Sequence, residues 1–230
     1  MTLSSEWDKE FRGGRHLSRY PWSDLVSFVN RYTDVNKVVK EWTDVDKLPQ
    51  VLELGCGIGT NYSLFSSHYY RGVDGSLEAV DVARRRYGYQ SRWAVADFTK
   101  EIPFGDTKFD LIFDRAAVTH NDTESIKRCI ELVRNRLKPG GKYIGIDWFS
   151  TSHSDFIRRK SVTVVDYHTK SNFKRGSFKG VGKVHFFSYH ELLGLFAGFD
   201  IDALEHKAVS QYLPKGGSII ASWNFCCTLK

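Results

Sequence analysis

The sequence predicts an α/β protein with a doubly wound sheet of seven strands, mostly parallel, with an antiparallel last strand. From Val51 onward, short apolar runs alternate with helical patterns, which is typical of parallel strands covered by helices on both faces. A glycine-rich turn follows the first apolar run. The last two runs are joined by so short a connection that they should pair antiparallel. A length of 230 residues favours a single domain.

The turn after the first predicted strand has the character of a ligand-binding loop. Glycines at Gly55, Gly57 and Gly59 permit backbone conformations that are closed to other residues, and they let N–H groups approach a ligand closely. Thr60 then can cap a helix. Asp74 ends the second strand, near the spacing of roughly 20 residues at which nucleotide-binding units place a carboxylate on ribose hydroxyls.

The remaining elements follow from hydrophobic periodicity and from capping signals. Strands are predicted near 51–55, 69–74, 91–96, 109–114, 141–148, 199–208 and 217–228. Helices are predicted near 60–67, 76–87, 122–137 and 188–197. Asn121 or Asp122 can cap the third of these helices, and the Lys-Pro-Gly-Gly turn at 138–141 ends it. Ser188 and Glu191 form a capping-box pattern that opens the fourth.

Composition excludes several classes of protein. Hydrophobic residues make up 41% and charged residues 26%, as in ordinary soluble domains, and no apolar run approaches the ~18 residues of a membrane span. The N-terminus lacks the features of a signal peptide, so the cytoplasm is the expected compartment. The four cysteines include no Cys-x-x-Cys pair, which predicts neither a disulfide framework nor a zinc site, and we predict no metal. They are Cys56, Cys129, Cys226 and Cys227.

The net charge of +6 is concentrated in a long insertion at 150–187, which carries eight basic residues and two acidic ones. The basic residues are Arg158, Arg159, Lys160, Lys170, Lys174, Arg175, Lys179 and Lys183. A connection of this length in a compact domain is usually functional or mobile. Two interpretations remain open: a solvated hairpin, or a lid over the acceptor pocket that attracts an anionic acceptor.

Residues 1–48 precede the sheet as an N-terminal arm. Ser23 can cap a helix there, and the stretch 11–22 is dense in arginine and aromatic residues. The arm is interpreted either as a solvated segment whose aromatic side chains pack on the core, or as a flap over the ligand.

With these motifs, the chain resembles the class I S-adenosylmethionine-dependent methyltransferases over roughly 48–228, which implies a Rossmann-like sheet. In that family the glycine turn holds the methionine part of the cofactor. Asp74 matches the residue that binds the ribose, Asp97 the one that binds the adenine amino group, and Phe98 lies against the ring. Asp114 ends the fourth strand near the transferable methyl. The resemblance implies these S-adenosylmethionine-binding residues: Glu53, Gly55, Cys56, Gly57, Gly59, Asp74, Gly75, Ser76, Asp97, Phe98 and Asp114.

A nicotinamide dinucleotide is the rival cofactor on a similar fold. Against it, the third glycine comes two residues after the second, whereas the dinucleotide fingerprint has three, and the sequence contains no Tyr-x-x-x-Lys pair. Stretches 20–28 and 114–121 resemble methyltransferases encoded among bacterial surface-polysaccharide genes, which implies a sugar or sugar-linked acceptor.

Methyl transfer from a sulfonium requires alignment of the nucleophile and exclusion of water, and a hydroxyl acceptor also has to lose a proton. His120, six residues after the fourth strand, is the leading candidate for the base. Arg115 is predicted to pair with Asp114, with the cofactor carboxylate or with an acidic acceptor. We therefore predict that His120, Asp114 and Arg115 are catalytic.

Three classes of acceptor or role remain open from the sequence. A small-molecule acceptor is favoured, with a hydroxyl or an amine as the methylated group. An RNA or protein acceptor is the alternative, but Asp114 is not followed by the paired prolines of enzymes that methylate base amines, so nucleic acid is less favoured. The third is a cofactor-binding protein without catalysis. The sequence does not predict an oligomeric state.

Overall fold

The computed structural model describes residues 4–35, 48–65, 69–157, 162–213 and 217–230. The elements are α1 (Ser5–Arg12), α2 (Ser23–Tyr32), β1 (Gln50–Leu54), β2 (Tyr69–Asp74), α3 (Leu77–Tyr87), β3 (Trp93–Val95), β4 (Phe109–Arg115), α4 (Thr123–Arg136), β5 (Leu137–Phe149), α5 (Ser154–Ile157), β6 (Thr163–Val164), β7 (Thr169–Ser171), β8 (Val184–His185), α6 (Tyr189–Leu195), β9 (Phe199–Gln211) and β10 (Ser218–Leu229).

Seven strands form one sheet in the order β3-β2-β1-β4-β5-β10-β9. The first five strands in the chain are parallel to one another. β10, the last strand in the chain, runs antiparallel to both β5 and β9. The predicted fold class is therefore confirmed, including the antiparallel last strand.

Helices cover both faces of this sheet, as the alternation of strands and helices predicts. On one face, α4 and α6 pack against Leu52, Leu54 and Ile112. On the other, α2 and α3 pack against Val51 and Leu111. Successive residues of β1 thus enter opposite cores, which explains why this strand is a continuous apolar run.

Two of the predicted features near the N-terminal half are wrong. The helix predicted at 60–67 is a short 3-10 helix at Tyr62–Phe65, and residues 66–68 lie outside the described part of the chain. Thr60 caps no helix, because its hydroxyl donates to the Ser18 carbonyl at 3.1 Å. Ser23 is the first residue of α2, and Trp22 occupies the capping position without a side-chain hydrogen bond.

The helix α4 begins where the sequence predicts but ends differently. Asp122 accepts a hydrogen bond from the Ser125 N–H and caps it, as one of the two predicted alternatives. At the other end the chain passes from Arg136 directly into β5. The turn at 138–141 then lies inside this strand as a bulge, since Phe109 pairs with Leu137 and Leu111 with Lys142.

The insertion at 150–187 forms α5 and a small antiparallel sheet, β6-β7-β8, rather than a solvated hairpin. It encloses a core of its own around Phe178 and Phe186. Two of its basic residues make structural contacts: Lys170 is buried and donates to the Phe156 carbonyl, and Lys183 pairs with Asp122. Three basic residues of the predicted segment lie outside the described residues: Arg158, Arg159 and Lys160. Residues 214–216, in the turn between β9 and β10, also lie outside them.

Within the described part of the chain, no helix combines the length and the apolar character that a membrane crossing needs.

A buried carboxyl group, Glu53 on β1, links the sheet to the N-terminal arm. Its side chain accepts hydrogen bonds from the Tyr70 hydroxyl and, at 2.8 Å, from the Asn61 amide. The Asn61 oxygen in turn accepts from the Trp22 N–H at 3.3 Å. Burial raises the pKa of Glu53 to about 8, and the two hydrogen bonds only partly offset this effect. At neutral pH this carboxyl group is therefore mostly protonated.

We expect this carboxyl group to make the stability of the protein depend on pH. The pKa of Glu53 is about 8 in the folded chain against a reference value of 4.5, so between these values the folded protein holds a proton that the unfolded chain lacks. The free energy of unfolding should therefore fall as pH rises through this window, by up to about 1.4 kcal/mol per pH unit. Glu53→Gln should remove that slope in urea unfolding measured from pH 5 to 8.

The matched control is Glu205→Gln, because Glu205 is an exposed carboxylate that pairs with Arg31. This variant should keep the wild-type slope. Parallel curves for wild type and Glu53→Gln would show that Glu53 is ionised in the folded protein.

Candidate functional site

A cavity of about 510 Å³ lies at the carboxyl edge of the sheet, beside the point where the strand order reverses between β1 and β4. Ligands bind at such a point in open α/β sheets. Residues predicted for the site that line this cavity are Glu53, Gly55, Cys56, Gly57, Asp74, Gly75, Asp97, Phe98, Arg115 and His120. The topology therefore brings most of the predicted site together.

The glycine turn is held closely against its neighbours. Gly55 has φ +67°, and a Cβ on it would lie 2.2 Å from the Cβ of Ala117. Gly57 has φ +51° and lines the cavity, and its N–H donates to Asp74 Oδ2 at 2.8 Å. Both glycines are required by geometry, the first by close packing and the second by a left-handed backbone.

Asp74, at the end of β2, is held by two backbone N–H groups. Its Oδ2 accepts from the Gly57 N–H, and its Oδ1 accepts from the Ser76 N–H at 2.8 Å. Burial raises the pKa of Asp74, and the N–H groups of Ser76 and Gly57 partly offset this rise. The carboxylate is thus fixed directly beside the glycine turn.

Asp97 follows β3 and faces the same cavity. Its Oδ1 accepts from the Thr99 N–H at 3.1 Å and from the Thr99 hydroxyl at 2.6 Å, and its Oδ2 lies 3.0 Å from Lys100. Burial raises the pKa of Asp97, but these contacts outweigh it and the net shift is downward. Asp97 is therefore an ionised acceptor beside Phe98.

Three predicted residues do not reach the cavity. Gly59 packs behind it against Tyr87 and Trp93. Ser76 is buried and caps α3 by accepting from the Ala79 N–H. Gly59 and Ser76 therefore support the loops that line the cavity, but their own atoms do not line it.

Asp114, the third, is fully buried and is not among the residues that line the cavity. Its Oδ2 accepts from the N–H groups of Ala117 and Val118 at 2.9 and 3.1 Å. Its Oδ1 accepts from the Tyr143 hydroxyl at 2.8 Å and the Trp148 indole at 2.9 Å. Burial raises the pKa of Asp114 to about 6, although these four donors oppose the shift.

Arg115 lines the cavity and pairs with Asp147 rather than with the neighbouring Asp114. Its guanidinium forms two contacts of 2.9 Å with Asp147 Oδ2 and lies 3.7 Å from the centre of the Trp22 ring. Ala116, which follows Arg115, and Asp147, the partner of Arg115, have φ of 51° and 57°. Strained backbone at two non-glycine residues is characteristic of functional sites.

His120 lies in the cavity wall at the end of a short 3-10 helix, Val118–His120. Its Nδ1 lies 3.0 Å from the Lys183 carbonyl oxygen, which can only accept, so Nδ1 carries the proton and Nε2 is the basic nitrogen. Burial lowers the pKa of His120 to about 4, and the Lys183 contact offsets this only in part. The ring is therefore neutral at physiological pH.

The N-terminal arm covers the cavity, which the sequence offered as one of two interpretations. Trp7 packs edge-on against His120 with ring centres 4.8 Å apart, and Phe11 lies over Gly57. The buried carboxylate of Asp8 accepts from the Ser76 hydroxyl at 2.6 Å and so anchors α1 at the start of α3. No local signal in the sequence predicts these contacts.

The insertion closes the cavity beside the arm, since Trp7 of α1 packs against the core of the insertion. Its contributions to the lining are Ser177, Phe178 and Val181, beside Phe149 at the end of β5. Phe178 and Phe149 pack edge to face with centres 4.6 Å apart. The wall that the insertion presents to the cavity is thus neutral, with two apolar side chains and one serine.

These features suit an adenosyl ligand. Asp74 and Asp97 place acceptors at the ends of adjacent strands, the glycine turn brings backbone close to the space between, and Phe98 offers an aromatic face. The volume falls within the range of about 300–1,000 Å³ that is common for small-molecule sites.

Comparison with known proteins agrees with this geometry. A family profile described as a methyltransferase domain matches residues 51–141. A methyltransferase of Encephalitozoon cuniculi is 28% identical over 166 residues, covering 71% of this chain and 75% of the relative. The phosphoethanolamine N-methyltransferase of Plasmodium falciparum is 23% identical over 160 residues, covering 61% of this chain and 59% of that enzyme.

Solved structures share the whole fold. An S-adenosylmethionine-dependent methyltransferase from Methanosarcina mazei has a TM-score of 0.61 and 21% identity, covering 79% of this chain and 92% of that one. The S-adenosylmethionine-bound amino pentose methyltransferase from Micromonospora echinaspora has a TM-score of 0.56 and 17% identity, covering 97% and 96%. Residues 51–141 therefore carry a methyltransferase domain on the fold of the S-adenosylmethionine-dependent methyltransferases, and these comparisons support S-adenosylmethionine as the cofactor.

Proposed function

We propose that the protein methylates a hydroxyl group of a small molecule, a sugar or sugar-linked metabolite, with His120 as the general base. The observation that carries this proposal is the enclosure of one cavity by three parts of the chain. The sheet edge supplies the glycine turn and its carboxylates, the arm supplies Trp7 and Phe11, and the insertion supplies Phe178 and Val181. An RNA or protein acceptor has little access to a pocket that the arm and the insertion both cover.

The cofactor would lie along the sheet edge. Asp74 would accept hydrogen bonds from the ribose hydroxyls, and Asp97 from the adenine amino group, with Phe98 against the ring. Gly57, where a Cβ would meet nothing closer than Phe11 at 3.4 Å, leaves room for the methionine part beside the turn. When bound, S-adenosylmethionine supplies an electrophilic methyl group on a positively charged sulfur.

The acceptor would occupy the aromatic half of the cavity. Trp7, Trp22 and Phe149 give flat apolar surfaces, while His16 and Asn121 add polar groups at their margins. Such a lining suits a ring with one apolar face and polar edges. The architecture is shared with an amino pentose methyltransferase, so an acceptor of sugar size, with a hydroxyl or an amine, is compatible with it.

The charges on the cavity wall favour a neutral acceptor over an anionic one. Arg115 is already paired with Asp147, and the insertion contributes no basic residue among those that line the cavity. Lys170 and Lys183 of its basic tract make internal contacts instead. A lid that attracts an anion by these two lysines is therefore not supported by their positions.

His120 would accept the acceptor's proton on Nε2 as the new bond to carbon forms. The bound cofactor would supply the methyl group and keep the electron pair of the sulfur–methyl bond, and His120 would take up the proton that the acceptor oxygen releases. Burial keeps this base neutral but also weak, so proton transfer has to accompany bond formation rather than precede it. Trp7 and Phe149 on either side of the ring exclude water from it.

The class of acceptor can be tested with cofactor labelled on its methyl group. We expect the label to enter polar low-molecular-mass compounds when the protein is incubated with a cell extract divided into small molecules, bulk RNA and protein. The soluble fraction can then be compared with sugars and nucleotide-linked sugars. Transfer of label to RNA or to protein, with none in the small-molecule fraction, would overturn the proposal.

Asp97→Asn should weaken binding of S-adenosylhomocysteine about tenfold in titration calorimetry, because one charge-assisted hydrogen bond is lost. The matched control is Asp202→Asn. Asp202 accepts from a threonine hydroxyl and pairs with Lys142 at 2.8 Å, as Asp97 does with Thr99 and Lys100, but it lies on β9. Equal affinities of the two variants would remove Asp97 from the cofactor site.

His120→Ala should lower kcat by roughly 10²–10⁴-fold, as loss of a general base does, with little change in cofactor affinity. His120→Asn can still donate to the Lys183 carbonyl but has no basic nitrogen, so it should be equally slow. Because the pKa of His120 is about 4, the wild-type rate should show no acid limb from this group between pH 6 and 8. Recovery of the rate in His120→Asn would indicate that His120 only positions its neighbours.

A further inference from the structure

A second group of chemically active side chains lies outside the cavity described above. His168 precedes β7, His185 lies on β8 and Glu191 lies on α6. One ligand atom from each lies within 4.8 Å of the others. His185 and Glu191 also line a second cavity of about 450 Å³ between α4 and α6. Three separate elements thus converge on one point.

We propose that His168, His185 and Glu191 form a binding site for one divalent transition-metal ion, with Zn²⁺ as the best fit. Two imidazoles and one carboxylate form a common ligand set for zinc, with a fourth position open to water or another ligand. Oxygen-preferring ions such as Mg²⁺ fit this set poorly, because two of its three ligands are nitrogens.

The carboxylate of Glu191 already lies between the two rings. Its Oε2 is 2.7 Å from His168 Nδ1 and its Oε1 is 2.8 Å from His185 Nε2. At metal-ligand bonds of about 2.0–2.1 Å, tetrahedral ligand atoms are about 3.3 Å apart. The hydrogen-bonded contacts therefore need to open by only about 0.5 Å, and the two imidazole nitrogens, which lie within 4.8 Å of one another, need to approach by at most about 1.5 Å.

The surroundings of His185 are those of a metal ligand. Its side chain is fully buried, and its Nδ1 lies 2.8 Å from the Thr169 hydroxyl. If Nε2 binds a metal, the ring proton moves to Nδ1, where the Thr169 oxygen can accept it. Metal-binding histidines usually have such a partner on the second nitrogen, which fixes the ring and its tautomer.

The fourth coordination position of the proposed site is open to the second cavity. Because His185 and Glu191 face the second cavity, water can reach an ion held between them. The side chains of His168 and Glu191 are 17% and 19% exposed, so an ion has a path from solvent. The site would join the insertion to α6, and it does not depend on the acceptor proposed above.

Calorimetric titration of Zn²⁺ into untagged, chelator-treated protein tests this inference. We expect one Zn²⁺ per chain. His168→Gln and Glu191→Gln should each weaken binding at least about 100-fold, since loss of even an outer partner of a ligand costs about 10- to 100-fold. Both variants retain hydrogen bonding, and glutamine at 191 also preserves the capping box with Ser188. His190→Gln is the matched control, because His190 is an exposed neighbour outside the cluster.

Thermal unfolding gives an independent measurement. Zn²⁺ should raise the Tm of the wild type and of His190→Gln, but not of the other two variants, and Mg²⁺ should raise none of them. The inference is overturned if Zn²⁺ does not bind, or if all four proteins bind it equally. It is also overturned if the two glutamine variants lose the same stability with and without Zn²⁺, since the cluster is then a hydrogen-bonded network only.

Discussion

The buried carboxylate of Asp114 is the contact on which the site depends most. It has no cation partner among the described residues, and it accepts instead from two backbone N–H groups and two side chains. Removing any of these donors would leave a buried negative charge less well solvated, which is costly in a low-dielectric interior. The backbone donors belong to the loop that carries Arg115 and His120, and the side-chain donors belong to β5. One carboxylate therefore fixes the acceptor-side loop against the neighbouring strand.

The N-terminal arm depends on that sheet edge in a different way. Its contacts are polar at the ends and aromatic between: Asp8 binds the start of α3, Trp22 contacts Asn61, and Trp7 and Phe11 cover the cavity. A carboxylate near a helix N-terminus is also favoured by the helix dipole. The arm is thus held at several points, including the Ser18 carbonyl that accepts from the Thr60 hydroxyl, and it covers the cavity.

The parts of the fold that could be predicted from sequence are those with local causes. Central strands such as β1 and β2 are short apolar runs, and the turn after β1 needs glycine, so their positions follow from periodicity and turn chemistry. Asp74 and Asp97 end parallel strands, so topology alone places them at one edge. The helix predicted at 60–67 failed because Thr60 is used by the arm rather than as a cap.

The roles that sequence reasoning missed come from contacts between distant residues. The resemblance implies a place for Asp114 near the transferable methyl but says nothing of its donors Tyr143 and Trp148, which lie 29 and 34 residues further along the chain and hold it in the core. The cysteine spacing argues only against a cysteine-based zinc site, and it carries no information about ligands drawn from three elements. Only the fold brings His168, His185 and Glu191 together.

The insertion connects this second cluster to the first cavity through one short strand. Thr169 pairs with His185, and Glu191 holds His185 from α6, so β8 is fixed from both sides. The residue immediately before β8 is Lys183, whose carbonyl sets the tautomer of His120. Because a carbonyl oxygen moves with its backbone, the position of β8 decides whether Nδ1 keeps its partner and Nε2 remains the basic nitrogen. Contacts made by residues 49 to 71 positions after His120 thereby determine which nitrogen of that ring can accept a proton.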